Sequence, residues 1–283
     1  CWALLVHETP ATDTNQVLIV SDGAANYNIT LPGVISTINV SNATNYPVSN
    51  LGPVHYLDGY ILQGQADGQI WNTRLNTVSS WDGAAVISAS FKGDALEATH
   101  LQKDRYLALG KQSIEIYFNN GSTPAPLLRI DQNTLDFGIA SKNSLAWSGS
   151  LALFVGENAS GGDGGRSVWK LQAGSIAEVS NASINRFLTA EGASISSCSA
   201  WMERVNGQLI YVLNLALANR SFVYQVEHDQ WPEWEAAAGG ARFNGVSATS
   251  LDGTVYVQDA SNGRIYSASV STFRDSGTTF SVT

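Results

Sequence analysis

One short unit recurs through this chain of 283 residues and limits what it can fold into: two apolar segments joined by a tight turn. The clearest copy is "VHYLDGYILQG", Val54 to Gly64. Asp58 and Gly59 sit between alternating hydrophobics there, the strongest local signal for a two-residue hairpin, because both turn positions require positive φ. The same outline returns in "LQKDRYLALG" with a turn at Asp104-Arg105, in "LAWSGSLALFVG" around Gly149, in "MERVNGQLIYVL" at Asn206-Gly207 and in "ATSLDGTVYVQD" at Asp252-Gly253. Counted on the second turn residue, the steps run 59 to 105 (46), 105 to 149 (44), 149 to 207 (58) and 207 to 253 (46). A sixth copy at the start has its turn near Asp13, another 46 residues before Gly59.

Each hairpin is followed by a third segment of strand character: "NYNIT", "QIWNTR", "SIEIYFN", "RSVWKL", "FVYQVE" and "RIYSAS". A more variable fourth follows, as in "AAVISAS", "PLLRI" and "TFSVT". Four short strands per unit at a period of 40 to 50 residues is the signature of a β-propeller. Such sheets bury both faces by packing on one another around an axis, and the ring leaves only short edges. The expected fold is all-β, a single six-bladed β-propeller of four-stranded antiparallel blades, spanning roughly 1–45, 46–92, 93–138, 139–192, 193–240 and 241–283. A β-sandwich with fortuitous spacing is the competing architecture. Helix is expected only in a minor place, Ser183 to Ala190. Ile114, Ile116, Val168 and Tyr211 are expected in blade cores.

Composition agrees. Gly (26 residues), Val, Ile, Thr, Ser, Tyr and Trp recur while Lys is scarce, a mixture that favours strands and turns. At 44% hydrophobic and 14% charged, the chain can build a packed core. No apolar run approaches the roughly 18 residues needed to cross a bilayer, so no membrane insertion is expected. The chain opens on Cys1 rather than Met and is expected to be trimmed from a longer one. Cys1 and Cys198 are read as free thiols, and sequons such as Asn28-Ile-Thr30 as chance in an Asn/Ser/Thr-rich chain. With a formal net charge of −9 and scattered basic residues, the sequence lacks the basic stripe that holds nucleic acid through its phosphates.

Four constellations could carry chemistry. Glycosidases need two carboxylates flanking one bond, roughly 5 to 9.5 Å apart. Asp58, Asp104 and Asp252 fall in turns of different blades, and "SLDGTVYV" departs from the sialidase Asp-box, so no catalytic residue is nominated. The run Asn158 to Leu171 is glycine-rich but leads into a strand and lacks Gly-Lys-Ser/Thr, which makes it a loop rather than a phosphate cradle. His7, His55 and His100 fall in the first strands of three successive blades, where core packing outweighs a metal cluster; no metal or other cofactor is expected. The segment Asp229 to Trp234 puts Trp231, Glu233 and Trp234 in one loop, either as cover for the blade core or as a partner-docking surface. Asp58, Gly59, Asp104, Gly149, Asn206, Gly207, Asp252 and Gly253 are read as structural turn residues.

The order of motifs resembles the propeller domain of the packaged-DNA stabilisation proteins, the tail hub or nozzle of short-tailed phages. The hairpin "VHYLDGYILQG" with "IWNTRLNTVSSWDG" is similar to that family's Asp-Gly hairpin and Trp-Asp segment. "YLALGKQSIEIYFNNG" carries a Gly-X-X-Ser-Ile-Glu strand, Gly110 to Glu115. "VGENASGGDGGRSVWKLQAGSIAEVSNASINRFL" carries a Gly-Glu-Asn loop, Gly156 to Asn158, and a later segment in which Asn185 stands where Glu is typical. "FVYQVEHDQWPEW" and "FRDSGTTFSVT" are similar to the family's closing strands. Asn206-Gly207 stands where the family has a Gly-His hairpin. The resemblance implies a non-enzymatic virion component of the phage tail, made in the host cytoplasm and assembled as a homo-oligomeric, hexameric ring. Its partners would be portal or adaptor proteins and tail spikes or fibres. Packaged DNA would be retained and then pass through the lumen without stable binding. A carbohydrate-binding or host-recognition propeller is the alternative, which the Trp231 to Trp234 loop would serve; a glycan-processing enzyme is a third.

Overall fold

The computed structural model describes residues 2–7, 16–21, 26–30, 50–78, 80–158, 165–172, 175–236, 240–268, 274–275 and 278–279. They form two compact units, residues 1–139 and 140–283, each a series of antiparallel sheets in chain order.

The first unit opens with β1 (Trp2–His7), β2 (Gln16–Ser21) and β3 (Asn26–Thr30), paired in that order. The second sheet runs β4 (Asn50–Leu57), β5 (Tyr60–Gln65), β6 (Gln69–Thr73) and β7 (Trp81–Ser88). The third runs β8 (Leu96–Gln102), β9 (Arg105–Gly110), β10 (Ile114–Asn119) and β11 (Leu127–Arg129), and β12 (Phe137–Ile139) ends the unit. In the second unit, β13 (Ala146–Ser148), β14 (Leu151–Asn158), β15 (Arg166–Gln172) and β16 (Ser175–Glu178) pair in succession. After α1 (Ala182–Ala190) come β17 (Ser199–Val205), β18 (Gln208–Leu215), β19 (Arg220–Gln225) and β20 (Glu233–Trp234). The last sheet is β21 (Gly245–Leu251), β22 (Thr254–Asp259) and β23 (Ile265–Ser267), followed by the short pair β24 (Arg274–Asp275) and β25 (Thr278–Thr279).

Five sheets carry the tight hairpin that the repeat announces, and the first strands lie side by side within each unit: β1 by β4 by β8, and β13 by β17 by β21. Two turns differ in register from the sequence reading. Gln102 pairs with Arg105, so the third turn is Lys103-Asp104 rather than Asp104-Arg105, with Lys103 at φ +54°. Ser148 pairs with Leu151, so Gly149 is the first turn residue, not the second. The steps become 59 to 104 (45), 104 to 150 (46), 150 to 207 (57) and 207 to 253 (46). The reason is burial. A one-residue slip would swap the two faces of a strand, and Tyr106 to Leu109 are all fully buried. The expected turn near Asp13 lies outside the described residues.

The cores sit between successive sheets. Leu209, Tyr211, Leu213 and Leu215 of β18 join one cluster with Leu153, Val155 and Val168, while Ile210 and Val212 join another with Trp201 and Val223. This even-odd division is why the second strands read as continuous apolar runs: both faces are covered. β5 does the same, with Ile61 in one cluster and Leu62 in another. Ile114, Ile116, Val168 and Tyr211 are all buried. The helix begins one residue before the expected start, because the Asn181 carboxamide oxygen accepts from the Ser183 and Ile184 amides and caps it. Its Ile184 and Leu188 point into the core.

Candidate functional site

The sequence nominated turns, an aromatic loop, a histidine set and two family motifs. The turn residues are exposed at Asp58, Asp104, Gly149, Asn206, Gly207, Asp252 and Gly253 and belong to five different sheets; Gly59 is buried. Asp58 accepts from Asn119 Nδ2 at 2.9 Å, which ties the tip of one sheet to the third strand of the next. Among the described residues, Asp58, Asp104 and Asp252 lie in the turns of three different sheets and do not pair as a glycosidase's carboxylates would.

The aromatic loop does not present one surface. Trp231 is half-buried against the core below, stacked on Tyr224 at 4.9 Å, and its indole N–H donates to the Val179 carbonyl at 2.8 Å. Trp234, three residues on, turns to a second cluster with Trp201 and Phe243. Glu233 pairs with Arg220 at 3.2 Å. An indole needs one partner for its single donor, and that of Trp231 is spent on joining two sheets.

Of the histidines, His55 and His100 are buried on the adjacent strands β4 and β8, and the side chain of His7 lies outside the described residues. Among the described residues no three His, Cys, Asp or Glu side chains converge as a metal site would require. Cys198 is a buried free thiol, pushed up to about 11 by burial; Cys1 lies outside the described residues. The glycine-rich run is described up to Asn158 and again from Gly165, and it does lead into the strand β15.

The two family motifs prove to be anchoring centres. In Gly110 to Glu115, Asp94 fills the place a Cβ on Gly110 would take: its Oδ2 would lie at 2.2 Å from such an atom. Asp94 accepts from the Gln112 amide at 2.7 Å and the Ser113 hydroxyl at 3.0 Å. Glu115 is 2% exposed, yet each oxygen is satisfied. Oε1 accepts from the Phe91 amide at 3.0 Å; Oε2 accepts from Tyr117 Oη at 2.8 Å and Arg129 Nη1 at 2.9 Å. A buried carboxylate costs several kcal/mol unless it is paired and hydrogen-bonded, which explains why three groups converge on it. Burial and then the Glu115 contact push the Tyr117 phenol above its ordinary range, and the hydrogen bonds that Arg129 donates to Asp131 and Glu115 push its guanidinium up.

In Gly156 to Asn158, Glu157 pairs with Arg166 through Nη2 at 3.0 Å and Nε at 3.3 Å. Arg166 Nη1 in turn donates to the carbonyls of Gly192 at 2.6 Å and Leu188 at 3.4 Å, at the C-terminal end of α1, where a cation opposes the helix dipole. Asn185, at the position of the family's Glu, receives the Ser180 hydroxyl at 2.6 Å and donates to Glu178 at 2.8 Å. Both motifs thus fix loops and a helix on the ends of sheets. They hold architecture, and a neutral amide serves at Asn185 because its neighbours supply a donor and an acceptor.

Sequence reasoning missed a set of side chains that bridge successive sheets in the second unit. Tyr211 Oη donates to the Ser144 carbonyl at 2.7 Å. Trp201 Nε1 and Asn214 Nδ2 both donate to the Gly245 carbonyl, at 3.0 and 2.6 Å. The buried Glu191 carboxylate accepts from the amides of Leu217 at 3.0 Å and Ala218 at 2.7 Å. The available signal was Tyr, Trp and Asn inside apolar strands, where a buried donor demands a partner.

The hairpin-led antiparallel sheets, with first strands adjoining and cores between sheets, define a β-propeller protein. A family model described as Bacteriophage P22 Gp10, beta-propeller, matches residues 9–272. The chain belongs to that phage stabilisation family. No curated protein matches it. Among solved structures it is similar to Hsv2 of Kluyveromyces lactis at 12% identity, covering 90% of this chain and 69% of that one with a TM-score of 0.49. It is also similar to dihydro-heme d1 dehydrogenase NirN, at 12% identity over 90% of this chain and 50% of that one with a TM-score of 0.49. BamB from Moraxella catarrhalis gives 11%, 92%, 80% and 0.40 respectively.

Proposed function

We propose that this chain is the six-bladed propeller of a tail hub, or nozzle, in a short-tailed phage, a structural part of the virion with no catalytic role. Copies assemble as a hexameric ring beneath portal and adaptor proteins, with tail spikes or fibres at the sides. The ring retains packaged DNA and then forms part of the conduit through which it leaves. The family membership over residues 9–272 carries this reading.

Two further observations support it. The motif residues Glu115, Glu157 and Asn185 are engaged in fixing loops rather than held open for a substrate. The net charge of −9 suits a conduit wall, since like charge repels the phosphate backbone and lets it slide. The test is a mobility-shift titration of the full-length protein against linear duplex at moderate salt. No shift up to micromolar protein is expected; a sub-micromolar, salt-sensitive shift would overturn the sliding conduit.

A further inference from the structure

Within the first unit, the second and third sheets share an apolar cluster that includes Leu62, Leu96 and Ala108, and along β4 and β8 their junction also buries two histidines. His55 and His100, from the two strands, are 7% and 2% exposed. His55 Nε2 lies 3.1 Å from Thr99 Oγ1, and its ring stands edge-on to Tyr106 with centroids 5.5 Å apart and planes at 86°. The sheets press closely there: a Cβ on Gly64 of β5 would come within 2.6 Å of Thr99 Cγ2.

We propose that this junction is the acid-sensitive joint of the protein, where proton uptake by His55 and His100 parts the sheet β4–β7 from the sheet β8–β11 while the second unit keeps its sheets closed. Each ring is packed in its neutral form, and a charged imidazolium has no room to recruit water without separating the strands. Two rings charging together also repel one another across the joint.

The groups on the surrounding elements do not offset this. Tyr106 on β9 faces His55, and burial pushes its phenol above the ordinary range, so it carries no charge. Glu97 on β8 is paired with Lys111 at 3.2 Å, and Arg105 lies beside Asp104 at the turn. Tyr56 on β4 is exposed, Tyr60 on β5 is buried, and β1 carries His7.

Burial, with the neighbouring His100 charge second, pulls His55 down to about 3; burial pulls His100 down to about 4. An unfolded or opened chain takes up these protons from its ordinary 6.5 downward, whereas the closed joint resists until about 4. Closure is therefore fully favoured above pH 6.5 and weakens as pH falls from 6.5 towards 4. Each histidine makes opening up to about tenfold easier per pH unit in that window, and the two together up to about a hundredfold. Ordinary carboxylates contribute only below about 4.5, which leaves the upper part of the window to the histidines.

The test is hydrogen exchange followed by mass spectrometry on the full chain at pH 7, 6 and 5, with rates corrected for intrinsic exchange. Peptides covering residues 50–65 and 96–110 should open about ten- to a hundredfold more readily per unit of acidification, while those of β17 and β18 hold their protection. The variant carrying His55→Gln with His100→Gln should lose that slope. Equal loss of protection in both units, or a variant that keeps the wild-type slope, would overturn the proposal. Should the double variant not fold, the wild-type contrast between the two units decides alone.

Discussion

The phenol of Tyr211, in the second strand of its sheet, donates a 2.7 Å hydrogen bond to the main-chain carbonyl of Ser144, which precedes the first strand of the sheet before it. Tyr211 is fully buried, so this one bond joins successive sheets in a region that water does not reach. Tyr211→Phe keeps the ring and deletes the bond. It should cost about 1 to 3 kcal/mol, the range for leaving a buried partner unsatisfied. Tyr211→Ala, which also opens a cavity, should cost about 3 to 5 kcal/mol. Urea unfolding with an unchanged slope would check both values.

Glu115 makes a contrasting prediction in the first unit. Glu115→Ala leaves Arg129, Tyr117 and the Phe91 amide without their shared acceptor. Arg129 is partly exposed and keeps its existing 2.7 Å bond to Asp131, which moderates the loss. The expected cost is on the order of 2 to 4 kcal/mol, against about 0 to 1 for an exposed ion pair such as Arg74 with Asp82. Thermal melts of Glu115→Ala and Asp82→Ala would show the difference, and equal effects would contradict the anchoring role.

Two turn glycines separate backbone strain from crowding. Gly253 has φ +76° and no atom within 4 Å of where a Cβ would stand, so Gly253→Ala should cost about 1 to 2 kcal/mol from the left-handed backbone alone. Gly59 has φ +89°, and its Cβ would meet Asn76 Oδ1 at 2.6 Å and Leu75 Cδ1 at 2.7 Å. Both atoms end movable side chains and Leu75 is exposed, so Gly59→Ala should cost no more than about 1 kcal/mol beyond Gly253→Ala. Chemical denaturation of the pair reads the increment directly.

Cys198 should be inert in the folded protein. It is 3% exposed, and burial pushes its thiol up to about 11, so the thiolate at pH 8 is about a thousandth of the total. Alkylation at pH 8 with peptide mapping should leave Cys198 unmodified natively and modify it fully in denaturant.

How much of this was legible in the sequence depended on what decides each feature. The hairpins were readable because Asp-Gly and Asn-Gly report positive φ locally; the helix was legible in place, but its first residue is set by the Asn181 cap. The third turn was displaced because its register is set by burial of Tyr106 to Leu109, and Lys103 adopts an unfavourable φ to allow it. Trp231 and Trp234 could not be assigned from their spacing, since an inward and an outward indole have the same sequence. The family motifs pointed to Glu115 and Glu157, but only the folded chain shows that their partners are Tyr117, Arg129 and Arg166. The repeat did place His55 and His100 in the first strands of successive sheets with core packing as the reading, but their partners Thr99 and Tyr106 follow only from packing between sheets.

The central claim is that this propeller is a building block of a tail conduit. Light scattering of the full-length protein, combined with negative-stain microscopy of the same sample, tests it most directly. The account predicts a hollow particle with six copies around a central opening. A strict monomer at every concentration, with portal and adaptor proteins added, would contradict it.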